Sequence, residues 1–206
     1  MSKLLGKLLT RSFPGKREEP SGPAIIEGPI VSDGSYESLA FNLWNEEIQR
    51  RNAVKVLDLG RVRAANLNFF MDRGVDLGIV NLIPEEGIDQ LERFSTSGPY
   101  QGALLWDLPN YFGTDDLKSM GQWLADQLTT NAPVFLTLAT KTPFRELPAS
   151  YEILGEDTLR IESDHAYLAR TELCSGTRLG KLWPQFENVR SFLLRNGMQE
   201  FLFRRT

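Results

Sequence analysis

Residues 54–60, Val-Lys-Val-Leu-Asp-Leu-Gly, constrain this chain more than any other stretch. A short apolar run that ends in Asp-Leu-Gly reads as a buried strand delivered into a glycine turn, the opening of a parallel α/β sheet. The residues that follow depart from that pattern: Gly60-Arg61-Val62-Arg63-Ala64 stands where a Gly-x-Gly-x-Gly turn is expected. The strand signal is intact, and the glycine-rich loop is not.

The rest of the chain alternates in the same sense. Residues 35–51 predict a helix with Leu39, Phe41, Leu43, Trp44 and Ile48 as its apolar contacts. Residues 64–73 predict another, followed by a strand over 76–83, a short helix over 87–94 and a buried strand over 100–108. A helix is expected over 114–129, where Thr114 reads as the N-cap and Asp115 and Asp116 suit the helix dipole. An apolar strand over 132–140 comes next. Strands alternating with helices imply a parallel sheet with right-handed crossovers. The last third differs: two short strands around Gly155, a short helix over 177–183 stopped by Pro184, and a hairpin over 189–205. Asn196-Gly197 is the preferred pair for a type I′ turn there.

Composition narrows the chemistry. The chain has 206 residues, 41% of them hydrophobic, enough for one ordinary domain with a core. Its net charge is −4, which argues against nucleic-acid binding over the whole surface. One cysteine, Cys174, and one histidine, His165, exclude an intrachain disulfide and a cysteine- or histidine-rich metal site. A reducing, cytoplasmic setting is expected, and no apolar run approaches the ~18 residues of a membrane span.

Charge is uneven. Residues 1–17 carry Lys3, Lys7, Arg11, Lys16 and Arg17 and no acid, a charge of +5 that leaves −9 on the remainder. Over 1–13 the residues Leu4, Leu5, Leu8 and Leu9 share one helical face, with the basic residues largely on the other. This is the pattern of a short basic amphipathic helix. It suits reversible contact with an anionic membrane surface or a groove on a protein partner, and equally a frayed end or a helix packed on its own domain. Residues 14–34, rich in proline and glycine, form a connector, so the folded domain is expected over 35–206.

Three features of residues 35–206 together resemble the class I S-adenosylmethionine-dependent methyltransferases. Val56-Leu-Asp-Leu-Gly60 looks like that family's first motif. Leu104-Leu-Trp-Asp-Leu-Pro-Asn-Tyr-Phe112 is similar to the strand-end motif beside the reacting methyl group, and the terminal hairpin resembles the pair of strands that closes the family's sheet. The resemblance implies a three-layer Rossmann-like α/β fold, its sheet mostly parallel with a C-terminal antiparallel hairpin. It also implies S-adenosylmethionine as cofactor, held by Asp58 and Gly60, with Asn81 where an acidic residue would bind the ribose. Asp107, Asn110 and Tyr111 would then lie near a methyl acceptor, with the Asp107 carboxylate placed to take an amine proton.

The departures from the family bear on that activity. Val62 and Ala64 replace two glycines, and a β-branched residue disfavours positive φ and fills space. Asn81 lacks the charge that strengthens a carboxylate's hydrogen bonds. The stretch from Asn81 to Tyr100 is too short for a full helix–strand–helix excursion, so the sheet is expected to lack one strand. Two readings stay open: a methyltransferase with weakened or lost cofactor binding, or a catalytically silent module that binds a partner or a membrane through its N-terminal helix. Bland roles also stay open for each residue, with Asp58 capping a turn, Asp107 and Asn110 in a turn of their own, and His165 and Cys174 inert.

Overall fold

A computed structural model describes residues 34–52, 54–94, 98–163, 166–168 and 173–206. The helix expected over 1–13, the connector up to residue 33 and His165 lie outside these residues.

Strand β1 (Gly34–Glu37) leads through Ser38 into helix α1 (Leu39–Gln49), where the Ser38 hydroxyl accepts the Phe41 amide at 3.1 Å. The helix expected from residue 35 therefore starts later, because Ser38 caps it and the residues before pair as a strand. Next come β2 (Lys55–Asp58), α2 (Ala64–Met71), β3 (Asp76–Ile79), α3 (Gln90–Arg93) and β4 (Gly102–Trp106). Helix α4 (Thr114–Gln127) and strand β5 (Pro133–Ala139) complete the alternating part. Gly113, not Thr114, is the N-cap of α4, and the Thr114 hydroxyl instead accepts from Arg178 at 2.5 Å.

Short strands β6 (Phe144–Arg145), β7 (Ser150–Ile153), β8 (Thr158–Glu162) and β9 (Tyr167–Leu168) precede helix α5 (Gly176–Leu182) and the hairpin β10 (Phe186–Leu193) and β11 (Met198–Arg205). The hairpin turn is not type I′. Gly197 has φ +83° whereas Asn196 is not in the left-handed region, and the Gly197 amide bonds Leu194 O. Arg195 and Asn196 thus fill an ordinary turn with glycine at its end, and the Asn196 side chain accepts the Met198 amide at 3.0 Å.

The main sheet has the order β10-β11-β5-β4-β2-β3. Strands β3, β2, β4 and β5 are mutually parallel, while β11 runs antiparallel to both neighbours. The chain passes from β3 at one edge back to β4 on the other side of β2, so among the described residues no strand extends the sheet beyond β3. A second sheet, β1-β8-β7, lies over one face, and β6 pairs with β9.

Alternation along the strands builds two cores. Val56, Leu104, Trp106, Phe135 and Leu202 face α1, α2 and the three-stranded sheet, whereas Leu57, Ala103, Leu105, Leu136 and Phe203 face α4 and α5. Large aromatics anchor each layer and keep their polar atoms paired. Trp44 Nε1 donates to Pro133 O at 3.1 Å, and Trp183 Nε1 donates to Leu117 O at 2.6 Å. Helices on both faces of a mostly parallel sheet place its C-terminal strand ends at a common edge, where sites form in such folds.

Candidate functional site

The C-terminal ends of β2 and β4 meet through side chains. Asp58, the last residue of β2, is 3% exposed, and its Oδ1 accepts both the Gly60 amide at 2.8 Å and the Trp106 indole Nε1 at 2.7 Å. Burial pushes its pKa up to about 6, although the bonds from Trp106 and Gly60 favour the charged form. Gly60 is required here by its own neighbour: a Cβ at that position would lie inside van der Waals contact of Trp106 Cδ1 and Nε1. The glycine makes room for an indole of the same chain.

Trp106 is held in that place from several sides. Its backbone has φ +53°, an outlier for a bulky residue that costs on the order of 1–3 kcal/mol. The ring stacks on Tyr151 at 5.0 Å between centroids and meets Phe135 edge-on at 5.7 Å. These contacts, with the bond to Asp58, offset the backbone cost.

The loop after Gly60 is tied to the overlying sheet. Arg63 pairs with Glu162 on β8 at 2.6 Å, and Asn66 at the start of α2 donates to Tyr151 O at 3.0 Å and accepts from the Ile153 amide at 2.8 Å. Val62 was expected to fill ligand space with an unfavourable φ. It is instead 53% exposed and outside the left-handed region, so its side chain neither strains the loop nor fills the interior. Asn81 is exposed and has φ +53°. Asparagine tolerates this left-handed conformation better than most residues, which accounts for its presence after β3 as a turn residue.

Asp107, Asn110 and Tyr111 come together after β4, yet two of them serve the backbone. Asn110 donates to Asp107 O at 2.7 Å and Thr137 O at 3.1 Å and accepts the Ala139 amide at 2.8 Å, stitching the turn to β5. The Tyr111 hydroxyl bonds Leu147 O at 2.8 Å and Asp107 Oδ2 at 3.3 Å. Asp107 is fully buried, accepts the Ala149 amide at 3.2 Å through the same Oδ2, and leaves Oδ1 without a partner. Burial raises its pKa to about 6, against the lowering influence of Arg145.

Arg145, on β6, was not singled out from the sequence. It is fully buried with Nη1 3.9 Å from Asp107 Oδ2, and none of its three nitrogens has a hydrogen-bond partner. Burial opposes its charge, but Tyr151, Asp107, Tyr167 and Tyr111 outweigh burial and raise its pKa. Glu200 of β11 is likewise buried and takes the Ala40 amide at 3.3 Å; burial moves its pKa up. The sequence marks them weakly, with one apolar neighbour each, Phe144 before Arg145 and Phe201 after Glu200. Cys174 is buried, and burial raises its thiol to about 11, the state of an inert cysteine. Among the described residues no group of His, Cys, Asp and Glu is placed to hold a metal, and no helix is long and apolar enough to cross a membrane.

No protein-family model and no curated protein matches the chain. Solved structures do. It is similar to the N-methyltransferase NodS from Bradyrhizobium japonicum WM9 at 11% identity and a TM-score of 0.49, covering 80% of this chain and 93% of that one. It is similar to 1,6-didemethyltoxoflavin-N1-methyltransferase from Burkholderia thailandensis, solved with 1,6-didemethyltoxoflavin and S-adenosylhomocysteine, at 15% identity, a TM-score of 0.47 and coverage of 82% and 79%. A methyltransferase from Clostridium acetobutylicum ATCC 824 aligns at 11% identity and 0.47, with coverage of 82% and 92%. The strand order and the reversed strand β11 carry the conclusion: the chain has a Rossmann-like α/β fold, its mostly parallel sheet closed by an antiparallel hairpin.

Proposed function

We propose that this chain is a methyltransferase-fold binding protein whose affinity for S-adenosylmethionine is weakened or lost. One observation carries the reading: the Trp106 indole occupies the space beside Gly60 and uses the Asp58 carboxylate that the family resemblance gives to the cofactor. The left-handed, exposed Asn81 supports the same reading, because it supplies no carboxylate for a ribose. The residues present therefore do not fit the cofactor, and no methyl-transfer step is assigned to them.

Calorimetric titration of the full chain with S-adenosylmethionine and S-adenosylhomocysteine tests this. No saturable heat at millimolar ligand is expected; saturation at micromolar ligand would return Asp58 and Gly60 to a cofactor role and Asp107 to that of a base near the acceptor. For the N-terminal segment we propose contact with an anionic membrane surface, supported by the +5 charge of residues 1–17 and the leucine stripe within them. Co-sedimentation with phosphatidylserine vesicles should fall when residues 1–17 are removed, and equal pelleting of both forms would end that role.

A further inference from the structure

Helix α3 has four residues and α4 has fourteen, so α3 leaves part of the α4 flank uncovered. A groove of about 350 Å³ lies between them. Its floor is apolar, formed by Ile88, Leu91 and the half-buried Trp123, whose ring meets Phe94 edge-on at 6.4 Å. Its rim is acidic: Asp89 and Glu92 on the α3 side and Asp126 on α4 are all exposed. Among the described residues neither Asp89 nor Glu92 pairs with a cation, and Asp126 accepts the neutral Gln122 amide at 3.1 Å. Three like charges around an apolar floor repel one another and suit an occupant that is both cationic and amphipathic.

The chain carries such an occupant at its own start. The pattern of residues 1–13 sets Leu4, Leu5, Leu8 and Leu9 on one helical face, and Lys3, Lys7 and Arg11, spaced four apart, form a row beside it. Three cations thus stand against three anions. In a helix the row from Lys3 to Arg11 spans ~12 Å, and the α4 wall of the groove from Ser119 to Asp126 spans ~10 Å. The connector reaches the groove from any side: residues 14–33 extend up to ~65 Å, whereas a domain of this size is roughly 40 Å across. We propose that the groove between α3 and α4 docks residues 1–13 of the same chain, the leucines on Trp123 and the cations on the acidic rim. Docking hides the leucine face that membrane contact uses, so the groove and an anionic membrane compete for one segment. The docking itself requires no membrane and does not rest on that contact.

The test uses the full chain, with Trp123 as the reporter, because Trp44, Trp106 and Trp183 are buried. Tethering holds the segment at an effective concentration of about 1 mM, so an affinity of only ~100 µM keeps it docked ~90% of the time. Acrylamide quenching of the wild type is compared with two charge reversals, each measured against its Trp123→Phe counterpart. One is Lys3→Glu/Lys7→Glu/Arg11→Glu in the segment, and the other is Asp89→Lys/Glu92→Lys/Asp126→Lys in the groove. Either reversal should raise the quenching constant of Trp123 several-fold, and the two combined should restore the wild-type protection. Protection should not change with protein concentration. Equal quenching of the wild type and the segment variant would overturn the proposal, and protection that grows with concentration would give the groove to a second copy instead. Should the groove variant fail to fold, the comparison of the wild type with the segment variant decides. Failure of this test leaves the membrane reading standing, and failure of vesicle co-sedimentation leaves the docking standing.

Discussion

Trp106 Nε1 and the Gly60 amide converge on one oxygen of Asp58, at 2.7 and 2.8 Å. Two strand ends that the family resemblance assigns to a ligand are thereby joined to each other. Removing the indole N–H while keeping a ring separates this tie from packing. Trp106→Phe should cost about 1.5–3 kcal/mol in urea unfolding, since a buried carboxylate loses one of its two donors.

Gly60 and Trp106 should also be energetically coupled. Gly60→Ala alone puts a Cβ into the indole and should cost about 1–3 kcal/mol. In a Trp106→Ala background the same substitution meets no indole and should cost less, giving a coupling energy above ~1 kcal/mol in a double-mutant cycle. Additive losses would mean that the glycine is needed for its backbone and not for the close approach.

The raised pKa of Asp58 fixes the sign of a pH effect. Folding moves the group from an ordinary carboxylate value to about 6, so between about pH 4 and 6 the folded chain holds a proton that the unfolded chain has released. Stability from this group is present at low pH and is lost as pH rises through about 6, opposite to the behaviour of a salt-bridged carboxylate. Asp58→Asn removes the dependence while keeping an acceptor for Gly60 and Trp106. The stability of the variant relative to wild type should therefore climb by up to ~3 kcal/mol from pH 4 to 6.5 and then level off. Asp107 contributes equally to both chains and cancels; a flat difference across the window would sink the assignment.

Much of this arrangement was legible in the sequence for a plain reason: apolar runs bounded by turn residues and helical spacing declare an element before any tertiary contact. β2, β4, β5, α4 and the β10–β11 pair are each marked by apolar runs, helical spacing or a turn dipeptide, and after the short stretch that follows Asn81 the sheet ends, among the described residues, at β3. β1, β6 and β9 were not legible, since β6 and β9 have two residues each, β1 (Gly-Ser-Tyr-Glu) has no apolar run of the kind that marks β2, and all three exist through their partners β8, β9 and β6. The site failed in a similar way. Asp58 and Trp106 both lay in the quoted motifs, but their bond depends on β2 and β4 being neighbours. Arg145 reads as a surface residue until β6 is folded onto the strand ends.

Asn66 should prove to be a tie between helix α2 and the overlying three-stranded sheet. Its side chain satisfies a carbonyl and an amide of β7, both of which would be left unpaired in Asn66→Ala. A loss of about 2–4 kcal/mol is expected, from two broken bonds in a buried setting. Hydrogen exchange locates the effect: amides of β7 and β8 should lose protection more than those of β5, whereas uniform loss would mean that the two sheets unfold as one unit.

Glycines at positions 62 and 64 should not by themselves give S-adenosylhomocysteine a site. Val62 is 53% exposed and Ala64 is exposed, so Val62→Gly/Ala64→Gly removes side chains that already point away from the core. The substitutions add chain entropy to the loop and weaken the first turn of α2, by roughly 0.5–1 kcal/mol each. The volume beside Gly60 belongs to Trp106, which they leave in place. Calorimetry of the double variant with S-adenosylhomocysteine should show no saturable heat at millimolar ligand, and only a further Trp106→Ala opens that space. Saturable binding by the double variant alone would place the obstruction in the loop side chains and remove Trp106 as its cause.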